Sequence, residues 1–359
     1  MQVLSTYFLY ISILLIASSF GYIAQYCNDF SARITARFVS FATLLLPAAL
    51  RYGIGTDYPA YIEIYQQKFP VHLQRVEPGF KLIGLFCNLI NIPPHLFIVI
   101  IAGITYALIC FDIPRKYFFP VICFFVLSFG YLNSFSMIRQ SLAISLLLCG
   151  LFKYYNGKKL NGYIYFAVAF FFHYSSIIII PIILLSRINI NNVFRILLCI
   201  FTVFIIINNN FSNLLFKYIV LAATFISPRL AYVLESNNRW GTGLSLLIYA
   251  LPSLIIIFTS YNKKNNESTN FVLNINFIYI IIVLFAYIIP TLARLTTAAL
   301  FILLFSVNFS YSYNKKYSSI IFSFLIVSFF ALFIRGIGFH QVGARNSFGI
   351  SPYMSIFSK

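Results

Sequence analysis

The sequence predicts an all-α membrane protein that crosses the bilayer many times. Three observations lead to this fold class: of the 359 residues 61% are hydrophobic, only 9% are charged, and the mean hydropathy is +0.90. Soluble domains contain about 25% charged residues, so this chain could not cover a water-facing surface. Within hydrocarbon the backbone must satisfy its own hydrogen bonds, which leaves helices or closed barrels. The apolar runs 271–290 and 318–334 are continuous instead of alternating, and they indicate helices.

Membrane-length apolar segments recur along the whole chain, and we predict about 10–12 transmembrane helices in a single integral membrane domain, residues 1–359. The segments are residues 3–24, 35–50, 95–111, 117–135, 140–155, 161–185, 193–208, 211–228, 244–259, 271–290, 295–313 and 318–334. The first segment lacks a basic start and a small-residue cleavage site, so we expect it to be retained. The polar stretch His173–Ser176 interrupts 161–185, and Lys217 lies in 211–228. A helix broken at His173, with 211–228 in the interface, is therefore the alternative to twelve crossings.

Basic residues in short loops give the orientation, because such loops stay in the cytoplasm. These loops contain Arg115-Lys116, Lys158-Lys159, Lys263-Lys264 and Lys315-Lys316. Counting crossings between them puts three longer segments on the outer side of the membrane, namely residues 51–79, 229–242 and 335–359. We therefore expect a functional site built from these segments to face outward.

The two kinds of basic residue are distributed differently. The net charge is +18 with only seven carboxylates, and lysines concentrate in the cytoplasmic loops whereas arginines concentrate in the outer segments. Either residue can orient a helix, so the arginine bias needs another cause. The planar guanidinium binds phosphate through two parallel hydrogen bonds, which a lysine cannot do. The distribution indicates an anionic ligand at the outer leaflet.

The six cysteines are isolated from one another and from histidines, and they predict neither a metal site nor disulfides.

The most distinctive block of polar residues begins where the second helix ends. It reads Arg51-Tyr-Gly-Ile-Gly-Thr-Asp-Tyr58 and is followed by Tyr61. Gly53 and Gly55 permit a tight turn, and Asp57 could accept a proton or cap the next helix. The same outer segment closes with Glu77-Pro-Gly-Phe80. A plain structural reading is a capped helix exit with an aromatic belt, followed by a helix that starts at Glu77.

Two further blocks contain polar side chains, one at the edge of an apolar helix and one within an apolar run. Arg139 and Gln140 open one helix, where the arginine either snorkels to water or binds phosphate with Gln140 as its neighbour. His173 lies inside an apolar run, so it should face a polar cavity or partner, as a structural residue, a catalytic residue or a phosphate contact. No GxSxG motif accompanies it, which argues against a serine hydrolase. Arg294 and Arg335 are either interfacial anchors or ligands for an anion.

These blocks, in this order, resemble the EpsG-like branch of the Wzy-type polysaccharide polymerases, which join O-antigen or capsule repeat units. The matching pieces are Arg51-Tyr-Gly-Ile-Gly-Thr-Asp-Tyr-Pro-Ala-Tyr61, Glu77-Pro-Gly-Phe80, Ile138-Arg-Gln-Ser-Leu-Ala143, His173-Tyr-Ser-Ser176 and Pro352-Tyr353. The resemblance implies a GT-C-like glycosyltransferase architecture in the bacterial cytoplasmic (inner) membrane, with the active site facing the periplasm or outside. It also implies donor and acceptor glycans carried on undecaprenyl diphosphate, with no metal or cofactor. A chain-length regulator protein would be a further partner, and nucleic acid would not.

The resemblance and the chemistry together give a set of candidate site residues. The catalytic candidates are Asp57, Glu77 and His173; the diphosphate candidates are Arg51, Arg139, Arg294 and Gln140; the substrate-binding candidates are Tyr58, Tyr61, Arg229 and Arg335. Arginines would stabilise the charge on the departing diphosphate, and Asp57 or His173 would activate the acceptor hydroxyl. A flippase for lipid-linked glycans, a glycan ligase and an O-acyltransferase are the alternative functions.

Overall fold

The computed structural model describes residues 2–67, 76–226, 243–260, 266–289, 292–310, 317–344 and 347–357. Its elements are α1 (Gln2–Tyr26), α2 (Phe30–Leu50), α3 (Tyr58–Gln66), α4 (Pro78–Leu89), α5 (Pro94–Ala107), α6 (Phe118–Leu127), α7 (Gly130–Ser136), α8 (Ile138–Tyr155), α9 (Lys159–Phe172), α10 (Ile179–Leu185), α11 (Asn192–Ile207), α12 (Asn209–Ile226), α13 (Leu244–Thr259), α14 (Glu267–Ile288), α15 (Ala293–Ala298), α16 (Leu300–Ser310) and α17 (Ser318–Phe339). Over the described residues the only strand-like pairing is two isolated bridges. The predicted all-α fold class is therefore confirmed.

Five described helices are long and apolar enough to cross a membrane, and the number rises to seven if two bent pairs each count as one span. The five are Gln2–Tyr26, Phe30–Leu50, Pro94–Asp112, Glu267–Ile288 and Ser318–Phe339. Further apolar helices of 10–17 residues lie between them. The chain is thus a polytopic membrane protein, and the count of about 10–12 crossings stays a prediction.

The described chain divides into two compact units, residues 1–177 with 329–359, and residues 178–328. In the first unit α6, α7 and most of α8 are buried, whereas α1, α2 and α9 keep large apolar side chains exposed. Exposed side chains of this kind, such as Phe8, Phe38 and Leu160, suit contact with lipid acyl chains instead of water. The core of the first unit therefore lies among α5, α6, α7 and α8.

The second unit is built around α14, which is buried along nearly its whole length. Arg195 of α11 is fully buried against it and donates hydrogen bonds to the side chains of Asn192, Asn270 and Asn274. The Asn274 amide in turn donates to the carbonyl of Ser186 at 2.9 Å. Because a charge in the membrane is costly unless it is hydrogen-bonded, this network fixes the ends of α10, α11 and α14 together.

Two predicted helices are interrupted in the structure. The segment predicted at 117–135 is divided into α6 and α7, which meet at an angle of 54°. The cause is Phe129, whose positive φ of 64° cannot continue a right-handed helix. The segment predicted at 161–185 breaks at His173, whose extended backbone (φ −158°, ψ 120°) ends α9. A helix broken at His173 is part of the alternative predicted from the polar stretch His173–Ser176.

The outer segment predicted at 51–79 contains α3 and the start of α4. Both helices are short, and both begin with a proline in the first turn, Pro59 in α3 and Pro78 in α4. Proline suits that position because its missing N–H would have no helical partner there. The two helices lie where α2 ends and α5 begins, since the Tyr65 hydroxyl donates to the carbonyl of Ile92 at 2.6 Å.

The opposite end of the first unit is closed by basic side chains. A π-helical turn, Leu108–Asp112, follows α5; the Arg37 guanidinium donates to the carbonyl of Cys110 within it and to that of Ile113 just after it. Lys153, near the end of α8, pairs with Asp112 in the same turn at 2.6 Å. These contacts hold the end of the unit that is predicted to face the cytoplasm.

Candidate functional site

Glu77, Arg139 and His173 come from three separate parts of the chain and meet in the first unit; we call them the Glu77 cluster. One carboxylate oxygen of Glu77, Oε2, accepts a hydrogen bond from Nη1 of Arg139. The other oxygen, Oε1, lies 2.7 Å from Nδ1 of His173. The Glu77 side chain is 4% exposed, whereas those of Arg139 and His173 are 23% and 26% exposed. A buried carboxylate therefore holds an arginine and a histidine that both remain accessible.

Glu77 reaches this position because α4 starts against the end of α9. It precedes Pro78 and has an extended backbone (φ −63°, ψ 145°). A Cβ atom at Gly79 would lie 2.9 Å from the carbonyl oxygen of Phe171, so a glycine permits this approach. The start of α4 can thus bring the Glu77 carboxylate to the level of His173.

His173 faces Glu77 because the helix ends at this residue. Its backbone N–H still donates to the carbonyl of Ala169 at 3.0 Å, and the Ser176 hydroxyl donates to the same carbonyl at 3.3 Å. A 3₁₀ turn, Tyr174–Ile178, then follows before α10. The backbone groups freed by the break are in part bonded locally, which membrane helices require wherever they are interrupted.

Aromatic rings form the surface beneath Arg139. Its guanidinium lies 5.6 Å from the ring centre of Tyr61 and 5.8 Å from that of Phe80, and the two rings are 5.7 Å apart. A cation over an aromatic face is stabilised by the ring quadrupole. Nε of Arg139 is buried and has no hydrogen-bond partner among the described residues. Arg139 is therefore fixed in place while keeping unused donor capacity.

The charges around Glu77 determine whether its carboxyl group is ionised and which atom donates in its hydrogen bond with His173. Burial raises the pKa of Glu77, but the hydrogen bond from His173 and the positive charge of Arg139 outweigh this effect and hold the pKa below its ordinary value. Glu77 is then an ionised carboxylate at neutral pH and can only accept hydrogen bonds. In their hydrogen bond Nδ1 of His173 is therefore the donor, and Nε2 points away from Glu77.

Arg51 occupies a different environment in the same unit. Its side chain is fully buried, and none of its guanidinium nitrogens has a hydrogen-bond partner among the described residues. The guanidinium lies 4.6 Å from the ring centre of Phe135. Gly55, four residues further on, approaches the same helix so closely that a Cβ there would lie 2.1 Å from the Phe135 carbonyl oxygen.

The other candidates of the first unit have diverse surroundings. Asp57 is exposed at the residue before α3, and Gln140 is half-buried beside Arg139. Tyr58 is buried, and its hydroxyl lies 3.0 Å from Nδ1 of His95. The Ala49 carbonyl can only accept, so Nε2 of His95 donates to it at 2.6 Å, and in this tautomer Nδ1 accepts a hydrogen bond from the Tyr58 hydroxyl. This chain of bonds ties α3 to the end of α2, and His95 is a residue that the sequence reasoning missed.

The remaining candidates are not brought into the Glu77 cluster by any described contact. Arg335 is exposed on α17, and Arg294 is exposed on α15 in the second unit. Arg229 lies outside the described residues, as does the predicted outer segment 229–242. Within the described ranges there is no group of three or more histidine, cysteine, aspartate or glutamate side chains that could hold a metal ion.

Sequence reasoning identified all three members of the Glu77 cluster but not their pairing. The only sequence signal for the pairing is that carboxylates are scarce, with seven against 25 basic residues. An outer glutamate can pair with an outer arginine only if the fold brings the two together. The chain does so across 62 residues for Arg139 and 96 for His173. Such separations carry no periodicity that a sequence reveals.

The chain matches a known protein family. A model of the EpsG family matches residues 34–355, a range that includes Arg51 and the whole Glu77 cluster. No curated protein and no solved structure matches the chain.

Proposed function

The chain belongs to the EpsG family, and from this premise we propose that it polymerises lipid-linked oligosaccharide repeat units by metal-independent glycosyl transfer. The family supports a polysaccharide-polymerase role in general. The specific proposal is a GT-C-like enzyme of the bacterial cytoplasmic membrane whose site faces the periplasm or outside. Donor and acceptor are glycans on undecaprenyl diphosphate, and a chain-length regulator protein is a further proposed partner.

The observation that carries this proposal is the double contact of Glu77. A carboxylate bonded to Nδ1 of a histidine orients the ring, fixes the tautomer and stabilises the imidazolium that forms when Nε2 takes a proton. The same carboxylate holds Arg139 beside that histidine. The buried Glu77 thus holds both a general base, His173, and a cation for the leaving group, Arg139. Glycosyl transfer from a diphosphate needs both groups.

The reaction can be followed through these groups. Nε2 of His173 removes the proton from the acceptor hydroxyl as its oxygen attacks the anomeric carbon of the donor sugar. The bond from that carbon to the diphosphate oxygen breaks, and its electron pair leaves with the diphosphate. Attack opposite the leaving group inverts the anomeric centre. Arg139 stabilises the charge that develops on the diphosphate, and Glu77 stabilises the protonated His173.

Some assignments depend on this function and have no further support from the described contacts. They are Gln140 and Arg294 as diphosphate contacts, Tyr58, Arg229 and Arg335 as sugar contacts, and Asp57 as an alternative base. Between the two candidate bases, the geometry favours His173, because Glu77 orients it and its side chain is accessible. Tyr61 acts in this scheme as part of the surface that positions Arg139.

A deletion strain complemented with His173→Asn tests the function and the base together. Asparagine keeps an N–H donor near the position of Nδ1 but has no group that replaces Nε2, so Glu77 retains a partner while the base is lost. We expect the wild-type gene to restore long glycan chains, and His173→Asn to leave single repeat units at a normal membrane level of protein.

The alternative functions give different glycans in the deletion strain. Loss of a flippase would leave no repeat units on the outer face. Loss of a ligase would leave polymer of normal length on the lipid carrier, and loss of an O-acyltransferase would leave unmodified polymer of normal length. Any of these three results would contradict the polymerase assignment.

A further inference from the structure

Arg51 is a buried cation for which the described residues provide no hydrogen bond. Its guanidinium is fully enclosed, with Nε, Nη1 and Nη2 unpaired by any described group. Contact with the Phe135 ring at 4.6 Å compensates only part of the lost hydration. A buried charge without a hydrogen-bonded partner is strongly unfavourable, so its retention calls for a ligand or a second conformation.

A non-helical segment, residues 347–356, lies beside Arg51, and we call it the C-terminal strap. Its backbone pairs with the Arg51 block in an antiparallel bridge between Arg51 and Ser355. On either side of the bridge, Tyr52 N–H donates to Met354 and Ile356 N–H donates to Leu50, both at 2.9 Å. Main-chain bonds therefore hold the strap against the Arg51 backbone, and Tyr353 of the strap lies within reach of the Arg51 charge.

Polar side chains near Arg51 and in the strap use only part of their hydrogen-bonding capacity. The Tyr10 hydroxyl donates to the strap carbonyl of Ile350 at 2.6 Å, and the Tyr106 hydroxyl bonds Ser134 at 2.6 Å. Ser351 of the strap is fully buried, and its hydroxyl has no partner among the described residues. The unpaired guanidinium of Arg51 can donate to phosphate oxygens, and the strap contains a second unpaired donor in the Ser351 hydroxyl.

We propose that Arg51 is the cation of a phosphate-binding site and that the C-terminal strap is its gate, which lifts to admit the anion and closes over it. The gate rests on the burial of Arg51 and on the non-helical strap that main-chain bonds hold beside it. The identity of the anion as the diphosphate of the lipid carrier rests on the proposed function. A gate of this kind would exclude water from the bound diphosphate and so strengthen its contact with Arg51.

A reversible cross-link tests the gate. The bridge between Arg51 and Ser355 places Tyr52 opposite Met354, so a Tyr52→Cys/Met354→Cys pair should form a disulfide that holds the strap down. The purified protein is assayed, oxidised and then reduced, for binding of radiolabelled undecaprenyl diphosphate in nanodiscs and of inorganic pyrophosphate. Each single-cysteine variant is the matched control.

We expect oxidation of the double variant to weaken binding by at least about tenfold, reduction to restore it, and both single variants to be unaffected. In protein without the engineered cysteines, Arg51→Lys and Arg51→Gln should weaken binding as well. Tight binding of pyrophosphate alone would identify a free phosphate compound, and binding of the lipid would identify the carrier. Undiminished binding to the oxidised protein would overturn the gate, and no binding of either probe to reduced protein would overturn the site. Gated binding by a protein that makes no polymer in cells would leave the gate intact and refute the polymerase proposal.

Discussion

Replacing Glu77 by glutamine should abolish chain extension while leaving the protein folded. Glutamine has nearly the same shape, but its single carbonyl oxygen cannot accept from both Arg139 and His173 as the carboxylate does. If its amide nitrogen turns toward His173, Nδ1 must become the acceptor and the proton moves to Nε2. The imidazole then presents the wrong tautomer to the acceptor hydroxyl, and the positive charge that forms on the ring has no counter-charge.

The size of this effect follows from the role of the carboxylate. Loss of a correctly placed general base costs about 10²–10⁴ in rate, and a wrong tautomer in a carboxylate–histidine pair lies at the upper end of that range. This corresponds to about 3–5 kcal/mol of transition-state stabilisation. The stability cost should be smaller, about 1–2 kcal/mol, because Arg139 is 23% exposed and water can replace part of its lost partner.

The assay compares Glu77→Gln with Glu63→Gln in a deletion strain. Glu63 is exposed on α3 and accepts a hydrogen bond from Gln67, the residue after this helix, so its substitution removes an acid without touching the cluster. Glycan length is read from a gel, and membrane levels of each variant from an immunoblot. We expect single repeat units from Glu77→Gln and long chains from Glu63→Gln. Chains of normal length made at the normal rate by Glu77→Gln would refute the role of this carboxylate.

Three further predictions follow from the same cluster. Arg139→Lys should stop chain extension as completely as Arg139→Ala, because a point charge cannot reproduce two parallel hydrogen bonds to a diphosphate. Arg75→Lys, in the predicted outer segment 51–79 and with no proposed role, should be tolerated, and normal polymer from Arg139→Lys would make Arg139 an anchor. Because the pKa of Glu77 is lowered, the stability gained from its pairs should be fully present above the ordinary carboxyl pKa and lost as the pH falls through the lowered value. Thermal unfolding of the wild type and Glu77→Gln in detergent would contradict this if their difference vanished between about pH 7 and 6. Polymerisation by purified protein should survive EDTA, and activity that is lost and then restored by magnesium would overturn the arginine-based leaving-group model.

The helical membrane fold could be predicted from the sequence because hydrocarbon imposes one simple requirement on every spanning segment. The apolar runs that became α1, α2, α14 and α17 were identified for that reason. Local geometry was less accessible. Nothing in the run 117–135 signals the positive φ of Phe129, and the short helix α3 has too few residues for its periodicity to stand out.

The candidate site was predictable in its members and not in its arrangement. Arg51 and Arg139 have the same side chain and similar apolar neighbours in the sequence, so the sequence reasoning gave them the same role. The structure makes them different: Arg139 is paired and accessible, whereas Arg51 is enclosed and without a described hydrogen bond. The difference arises from contacts with Glu77 and with the strap at 347–356, and sequence spacing does not encode such distant contacts.

The central claim, that the Glu77 cluster performs glycosyl transfer between lipid-linked repeat units, is tested most directly with purified protein. The protein in nanodiscs is incubated with a synthetic undecaprenyl-diphosphate-linked repeat unit, and both the glycan products and released undecaprenyl diphosphate are measured. We expect a ladder of chains with one carrier diphosphate released per linkage formed, and neither product from His173→Asn. A wild-type protein that releases no carrier from an authentic repeat unit, or a His173→Asn variant that extends chains at the wild-type rate, would contradict it.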